Sequence, residues 1–134
     1  MSEPLKYKKG LSVPVSDYFK STEFDCTCPC LGDTLIDPVL TKRLDFMRRN
    51  IGKPIKITSG YRCAIKQQEL RDDGRHTAAK VSTHEEGQAA DVFVAGLTGF
   101  DLTDEALRAG FTSIGTAKTW AHVDIREGNR RWTY

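Results

Sequence analysis

The sequence lacks any apolar run near the roughly 18 residues that a membrane-spanning helix requires. Its longest candidate, Ala89 to Leu97, is interrupted by Asp91. It also lacks an excess of either charge: 20 Lys and Arg stand against 18 Asp and Glu, a net charge of +2, with the signs mixed along the chain. The basic stripe of a dedicated nucleic-acid binder is therefore missing, and neither nucleic acid nor membrane is an expected partner. Met1 to Lys9 carries charge but no apolar h-region. A secretory signal is not read there, and the expectation is synthesis in the cytoplasm with export by another route. Internal repeats, low-complexity tracts and Gly/Ser/Pro linkers are absent as well. Histidine is scarce, three in 134 residues, so each one can be weighed singly.

What the chain does contain suits one folded unit. It is 39% hydrophobic and 28% charged, too apolar and too evenly charged for disorder. Its length fits one domain, residues 1–134, that needs no disulfide lattice. Residues 1–33 show no sustained period and read as an irregular arm. Tyr18, Phe19 and Phe24, beside the cap-forming Ser12 and the run Ser21-Thr22-Glu23, would staple it to the rest.

Beyond the arm, Ile36, Leu40, Leu44, Met47 and Ile51 draw one apolar stripe. The spacing predicts a helix over 37–51, capped by Asp37, with Pro38 in its first turn and Gly52 as its stop. A short strand is expected at 54–58, a helix at 64–73 and a loop at 74–83. A buried strand follows at 89–94, then a helix at 102–108 capped by Thr103, and a brief strand at 113–114. Over 119–126 the pattern alternates: Trp120, His122 and Asp124 share one face, and Ala121, Val123 and Ile125 the other. The apolar face should meet the core and the polar face a cleft or solvent. The expected class is α+β, a small, mainly antiparallel sheet flanked by helices.

Two histidines lie near carboxylates. His84 precedes Asp91 by seven residues across a glycine turn, and His122-Val123-Asp124 lies on the alternating strand. Two imidazoles and one carboxylate suit a catalytic zinc ion with an open fourth position. Such an ion polarises a carbonyl and makes water nucleophilic near neutral pH. Taken alone, each histidine reads more readily as a structural or surface residue than as a ligand. Asp91, among Ala89, Ala90, Val92 and Val94, needs a partner if buried.

Three motifs then carry a resemblance. Ser82-x-His84-x-x-Gly87-x-Ala89-x-Asp91 is followed by His122-x-Asp124 and preceded by Ser59-Gly60-Tyr61-Arg62. Together with the opening Glu23-Phe24-x-Cys26 and the close Arg130-Arg131-Trp132, they resemble the zinc D-Ala-D-Ala carboxypeptidase family. That wider group includes murein endopeptidases, phage cell-wall lysins and the hedgehog signalling domain. The resemblance implies a hedgehog/DD-peptidase-like fold, a Zn2+ cofactor held by His84, Asp91 and His122, and Arg62 as the residue that binds substrate or steadies the oxyanion. It also implies a peptidase that hydrolyses an amide involving a D-amino acid in peptidoglycan peptides at the cell wall, as a carboxypeptidase or an endopeptidase. A monomer is expected, and the lack of a readable secretory signal fits release by a phage or prophage lysis system, or a component of a phage particle.

Ser82 could bond the substrate or simply form a turn. Trp120 could wall the cleft or pack in the core, and His76 could reach the cleft or remain a loop residue. One position departs from the family pattern. Several members carry Glu or Asp three residues before the last histidine ligand, where this chain has Thr119, which cannot accept a proton at neutral pH. Asp124 is the expected substitute as general base, with orientation of His122 as its other role and Glu85 and Glu86 as further alternatives. Thr119 also keeps open a second function, a zinc-stabilised binding module without hydrolysis. The pairing of Cys26, Cys28, Cys30 and Cys63 is left open between disulfide, thiols and a second metal.

Overall fold

In a computed structural model that describes residues 3–27, 32–63, 84 and 86–134, the chain is α+β. Among the described residues two α-helices pack on one face of a five-stranded sheet, and a two-stranded ribbon lies beside it. The ribbon pairs β1 (Leu5–Tyr7) with β2 (Thr34–Ile36), antiparallel. α1 (Pro38–Ile51) follows at once. The Asp37 side chain accepts the Val39 amide at 2.9 Å, and Gly52 closes the helix in the left-handed region at φ 72°, a conformation that only glycine adopts at no steric cost.

The sheet runs β3 (Lys56–Ser59), β4 (Ala89–Phe93), β6 (Ala121–Asp124), β5 (Ser113–Thr116), β7 (Arg131–Thr133) in spatial order. All neighbours are antiparallel except the β5–β7 pair. α2 (Gly99–Arg108) precedes β5. It starts a turn before the expected position because the cap is Thr98, whose hydroxyl accepts the Asp101 amide while the Asp101 carboxylate accepts the Thr98 amide. Thr103 lies inside the helix and bonds the Gly99 carbonyl at 2.9 Å. The expected helix at 64–73 and loop at 74–83 lie outside the described residues.

Strand alternation sorts the side chains. Ala90, Val92, Ala121, Val123 and Ile114 turn to the helices and pack with Leu40, Leu44, Met47, Leu102, Ala106 and Phe111. The arm joins this core through Phe19 and Phe24, both buried, with their rings 6.0 Å apart edge to face. It is fixed to α1 by the buried carboxylate of Asp45, which accepts Ser16 Oγ at 2.8 Å and the amides of Asp17 and Tyr18. On the opposite face a single lateral row crosses all five strands: Ser59, Asp91, His122, Gly115 and Trp132.

Candidate metal centre

Asp91 and His122 are cross-strand partners on β4 and β6, so their side chains rise together from the same face. His84 arrives from outside the sheet. Its ring Nδ1 lies 2.6 Å from the Gly60 carbonyl, and its own carbonyl accepts the Arg62 amide at 3.1 Å. The Ser59-Gly60-Tyr61-Arg62 turn therefore holds His84 from both its ring and its backbone. Gly87, three residues on, lets the chain lie close against β2: its φ is +71°, and a Cβ there would stand 2.5 Å from the Leu35 carbonyl oxygen.

Three atoms converge. His84 Nε2 is 3.2 Å from His122 Nδ1 and 3.4 Å from Asp91 Oδ1, and His122 Nδ1 is 3.0 Å from Asp91 Oδ1. Hydrogen bonding on the far side of each ring fixes what these atoms are. A carbonyl only accepts, so His84 Nδ1 carries the proton toward Gly60. His122 Nε2 is 2.8 Å from Asp124 Oδ2 and donates to that carboxylate. In the neutral rings the inward nitrogens thus present lone pairs to each other and to a carboxylate oxygen. Such a triangle repels itself unless a cation sits within it, either a proton on His122 Nδ1 or a metal ion. Zinc bonds of about 2.0–2.1 Å at tetrahedral angles would place neighbouring donors about 3.3–3.4 Å apart, close to the observed sides. The residues present fit the ion.

All three side chains are buried: His84 is 2% exposed, His122 5% and Asp91 7%. Burial opposes charge on each of them. For His84 burial wins, and its ring is pushed below the ordinary value despite the contact with Asp91. For His122 the bonds to Asp124 and Asp91 outweigh burial, so its ring is raised. For Asp91 the two histidines overcome burial and hold the carboxyl well below the usual carboxylate range.

Around the three atoms stand groups of different character. Arg62 Nη2 lies 3.3 Å from Asp91 Oδ2, the oxygen opposite the converging one, and Arg62 Nε donates to Ser59 Oγ at 3.1 Å. Asp124, wholly buried, sits behind the His122 ring. Arg126 engages both its oxygens, through Nε to each at 3.0 Å and Nη2 to Oδ2 at 2.7 Å. The Asp124 end of the polar face of β6 is thus covered, while its Trp120 end borders a groove. Trp120 precedes β6 and lines a groove of about 380 Å³ with Thr58, Ser59, Asp91, Phe93 and Thr119. Ser82, Glu85 and His76 lie outside the described residues.

The sequence reading missed an aromatic wall. Trp132 packs 5.3 Å from the His122 ring, and Tyr134 lies 4.8 Å from Trp120. Burial holds the Tyr134 phenol above its ordinary value. Room for the wall comes from Gly115, where an added Cβ would overlap the Trp132 indole and stand 2.8 Å from the Tyr134 ring. The pairing that sets Gly115 beside both His122 and Trp132 is long-range, so no local signal in the sequence marked the wall.

Residues 17–125 match the Peptidase M15 family model. The chain is 34% identical over 101 residues to the peptidoglycan L,D-endopeptidase MepK of Escherichia coli K12, and equally to that of Shigella flexneri. The match covers 72% of this chain and 54% of the relative, so the chain spans about half the length of these relatives. Among solved structures, the Serratia marcescens L-Ala D-Glu endopeptidase ChiX shares the fold, with a TM-score of 0.55 at 20% identity, over 68% of this chain and 80% of that one.

Proposed function

The chain belongs to the peptidase M15 family, and from that premise we propose that it is a zinc-dependent endopeptidase that cuts a peptidoglycan stem peptide at an amide between an L and a D residue. The observation that carries the reading is the triangle of His84 Nε2, His122 Nδ1 and Asp91 Oδ1, with sides of 3.0–3.4 Å and each ring tied back by its other nitrogen. The printed names of the relatives favour an L,D bond, one kind of the expected amide involving a D-amino acid, and endopeptidase over carboxypeptidase action.

When bound, zinc would supply Lewis acidity toward water and the scissile carbonyl. The rest falls to the chain. Arg62, a planar donor fork beside the centre, meets the oxyanion or a substrate carboxylate. Trp120 and Phe93 line the groove in which the peptide lies. Asp124 acts through His122: it fixes the ring's tautomer and direction and, being on the other side of the ring with Arg126 on both oxygens, has no free path to the reacting water. It is a positioning residue in this reading, not the general base. Action at the cell wall belongs to the same proposal.

The test is digestion of purified peptidoglycan with mass spectrometry of the released muropeptides, with and without chelator and with zinc restored. New amino termini at an L,D bond, lost on chelation and regained with zinc, are expected. Intact stem peptides with retained binding would refute hydrolysis and leave a binding module.

A further inference from the structure

We propose that Tyr134 is a substrate-binding residue of the metal centre: its hydroxyl donates a hydrogen bond to a carbonyl oxygen of the bound peptide, from the β7 side of His122 and across the centre from Arg62. This rests on the peptidase function proposed above and adds to it a contact that lies outside the sequence motifs. The backbone places the ring. Tyr134 follows Trp132 by two residues, so the two side chains take the same side of the sheet. Its amide donates to the Thr116 carbonyl at 3.0 Å, which carries the parallel pairing with β5 one residue further. In the lateral row Gly115 stands between His122 and Trp132. A Cβ on that glycine would be 2.8 Å from Tyr134 Cε2, the ring carbon next to the one that bears the hydroxyl. Paired residues of adjacent antiparallel strands have Cα atoms about 4.5–5.5 Å apart. The hydroxyl end of the ring therefore lies about one strand spacing from the backbone of His122.

The hydroxyl has a proton to give. It is hydrogen-bonded to the Trp132 side chain, and an indole N–H only donates, so the phenol oxygen is the acceptor of that bond. The O–H remains as a donor, and among the described residues no group accepts it. The indole thus anchors the oxygen while its proton stays available to a ligand. Burial is the main cause that raises this phenol, but the charges of Asp91, Arg62 and Asp124 act on it as well, as they do only on a group within electrostatic reach of the centre. Ring packing alone would be met by phenylalanine; the hydroxyl is what the site face gains.

Access and position fit a peptide. Tyr134 is 49% exposed, and its ring lies 4.8 Å from that of Trp120, which lines the groove beside Asp91. Arg62 is held on the β3 side of the centre by Ser59 and Asp91, and Tyr134 stands on the β5–β7 side. An extended peptide offers a carbonyl acceptor at every residue. A neutral donor on one side and a cationic fork on the other would hold its backbone in register over the three converging atoms.

The experiment compares the zinc-loaded full chain with Tyr134→Phe, which keeps the ring and removes only the hydroxyl. The probes are a peptidoglycan stem peptide and an uncleavable analogue of it, with a phosphinate in place of the L,D amide. Tyr134→Phe should bind the analogue about 3–10-fold more weakly and lose kcat/KM on the peptide by a similar factor, the scale of one hydrogen bond. Zinc content and the denaturant midpoint should match the wild type. Wild-type turnover decides separately whether the chain is a peptidase. If the wild type cuts and Tyr134→Phe cuts and binds equally well, the proposal is overturned and the peptidase function stands. If the wild type does not cut, that function fails, and analogue binding alone decides the role of Tyr134, equal affinity of the two proteins overturning it. Weaker binding accompanied by lost zinc or a lowered midpoint would make the hydroxyl a structural group and overturn the proposal too.

Discussion

Replacing Asp124 by asparagine separates two chemistries that the motif alone leaves entangled. Asp124 is wholly buried, accepts from His122 Nε2 at 2.8 Å and receives the Arg126 guanidinium on both oxygens. In Asp124→Asn the amide oxygen can still accept from His122, but it carries no charge, and the amide NH2 would face the cation of Arg126. The first consequence is structural. A charge-assisted pair is lost, which costs about 1.5–3 kcal/mol; the partly exposed Arg126 recovers some solvation, so the lower part of that range is expected. The second is at the centre. Removing the carboxylate behind a metal-binding imidazole typically weakens metal affinity by about 10–100-fold. At saturating zinc, turnover should therefore return to within a few-fold of the wild type. Zinc titration against a competing chelator, with turnover measured at each zinc level, reads both effects. Undiminished zinc affinity together with turnover lowered by about 100-fold or more at saturating metal is the signature of a lost general base, and it would refute the positioning role.

Arg62→Ala should lower kcat/KM by roughly 100-fold or more while leaving zinc content unchanged, the scale of a lost oxyanion donor; steady-state kinetics with elemental analysis checks it. Gly115→Ala forces a methyl into the Trp132 indole and should cost about 1–3 kcal/mol in denaturant unfolding, with a KM effect if the displaced wall borders the substrate. Metal uptake should weaken as pH falls. The His122 ring is raised above its ordinary 6.5 by Asp124 and Asp91 against the pull of burial, so in metal-free protein it keeps its proton to higher pH, and that proton must leave before Nδ1 can bind an ion. Calorimetric titrations at several pH values should show proton release on binding and an affinity that rises with pH through the imidazole range; an affinity independent of pH would contradict this.

Long periodic segments and spaced motifs were legible in the sequence because their physics is local. α1 declared itself through its stripe, Asp37 and Gly52, and β6 through its alternation. The start of α2 was not, since Thr98-Gly99-Phe100 resembles a turn and its reciprocal cap uses Asp101 in place of the usual Glu or Gln. Strands of three residues, β1, β2 and β7, are too short to show a period at all. The burial of Asp124 was hidden for another reason: alternation says which residues share a face but not what covers it, and here Arg126 and Trp132 arrive from beyond the strand. The contact of Trp132 with His122 is likewise set by the parallel pairing of β7 with β5, a long-range event with no local mark.

The lateral row through Ser59, Asp91, His122, Gly115 and Trp132 draws one position from each of five strands. Since side chains alternate, sliding any one strand by a single residue would swing its member to the wrong side. The convergence of these side chains thus depends on all four strand pairings at once, and a copy misaligned at any one of them would hold the same residues without bringing them together.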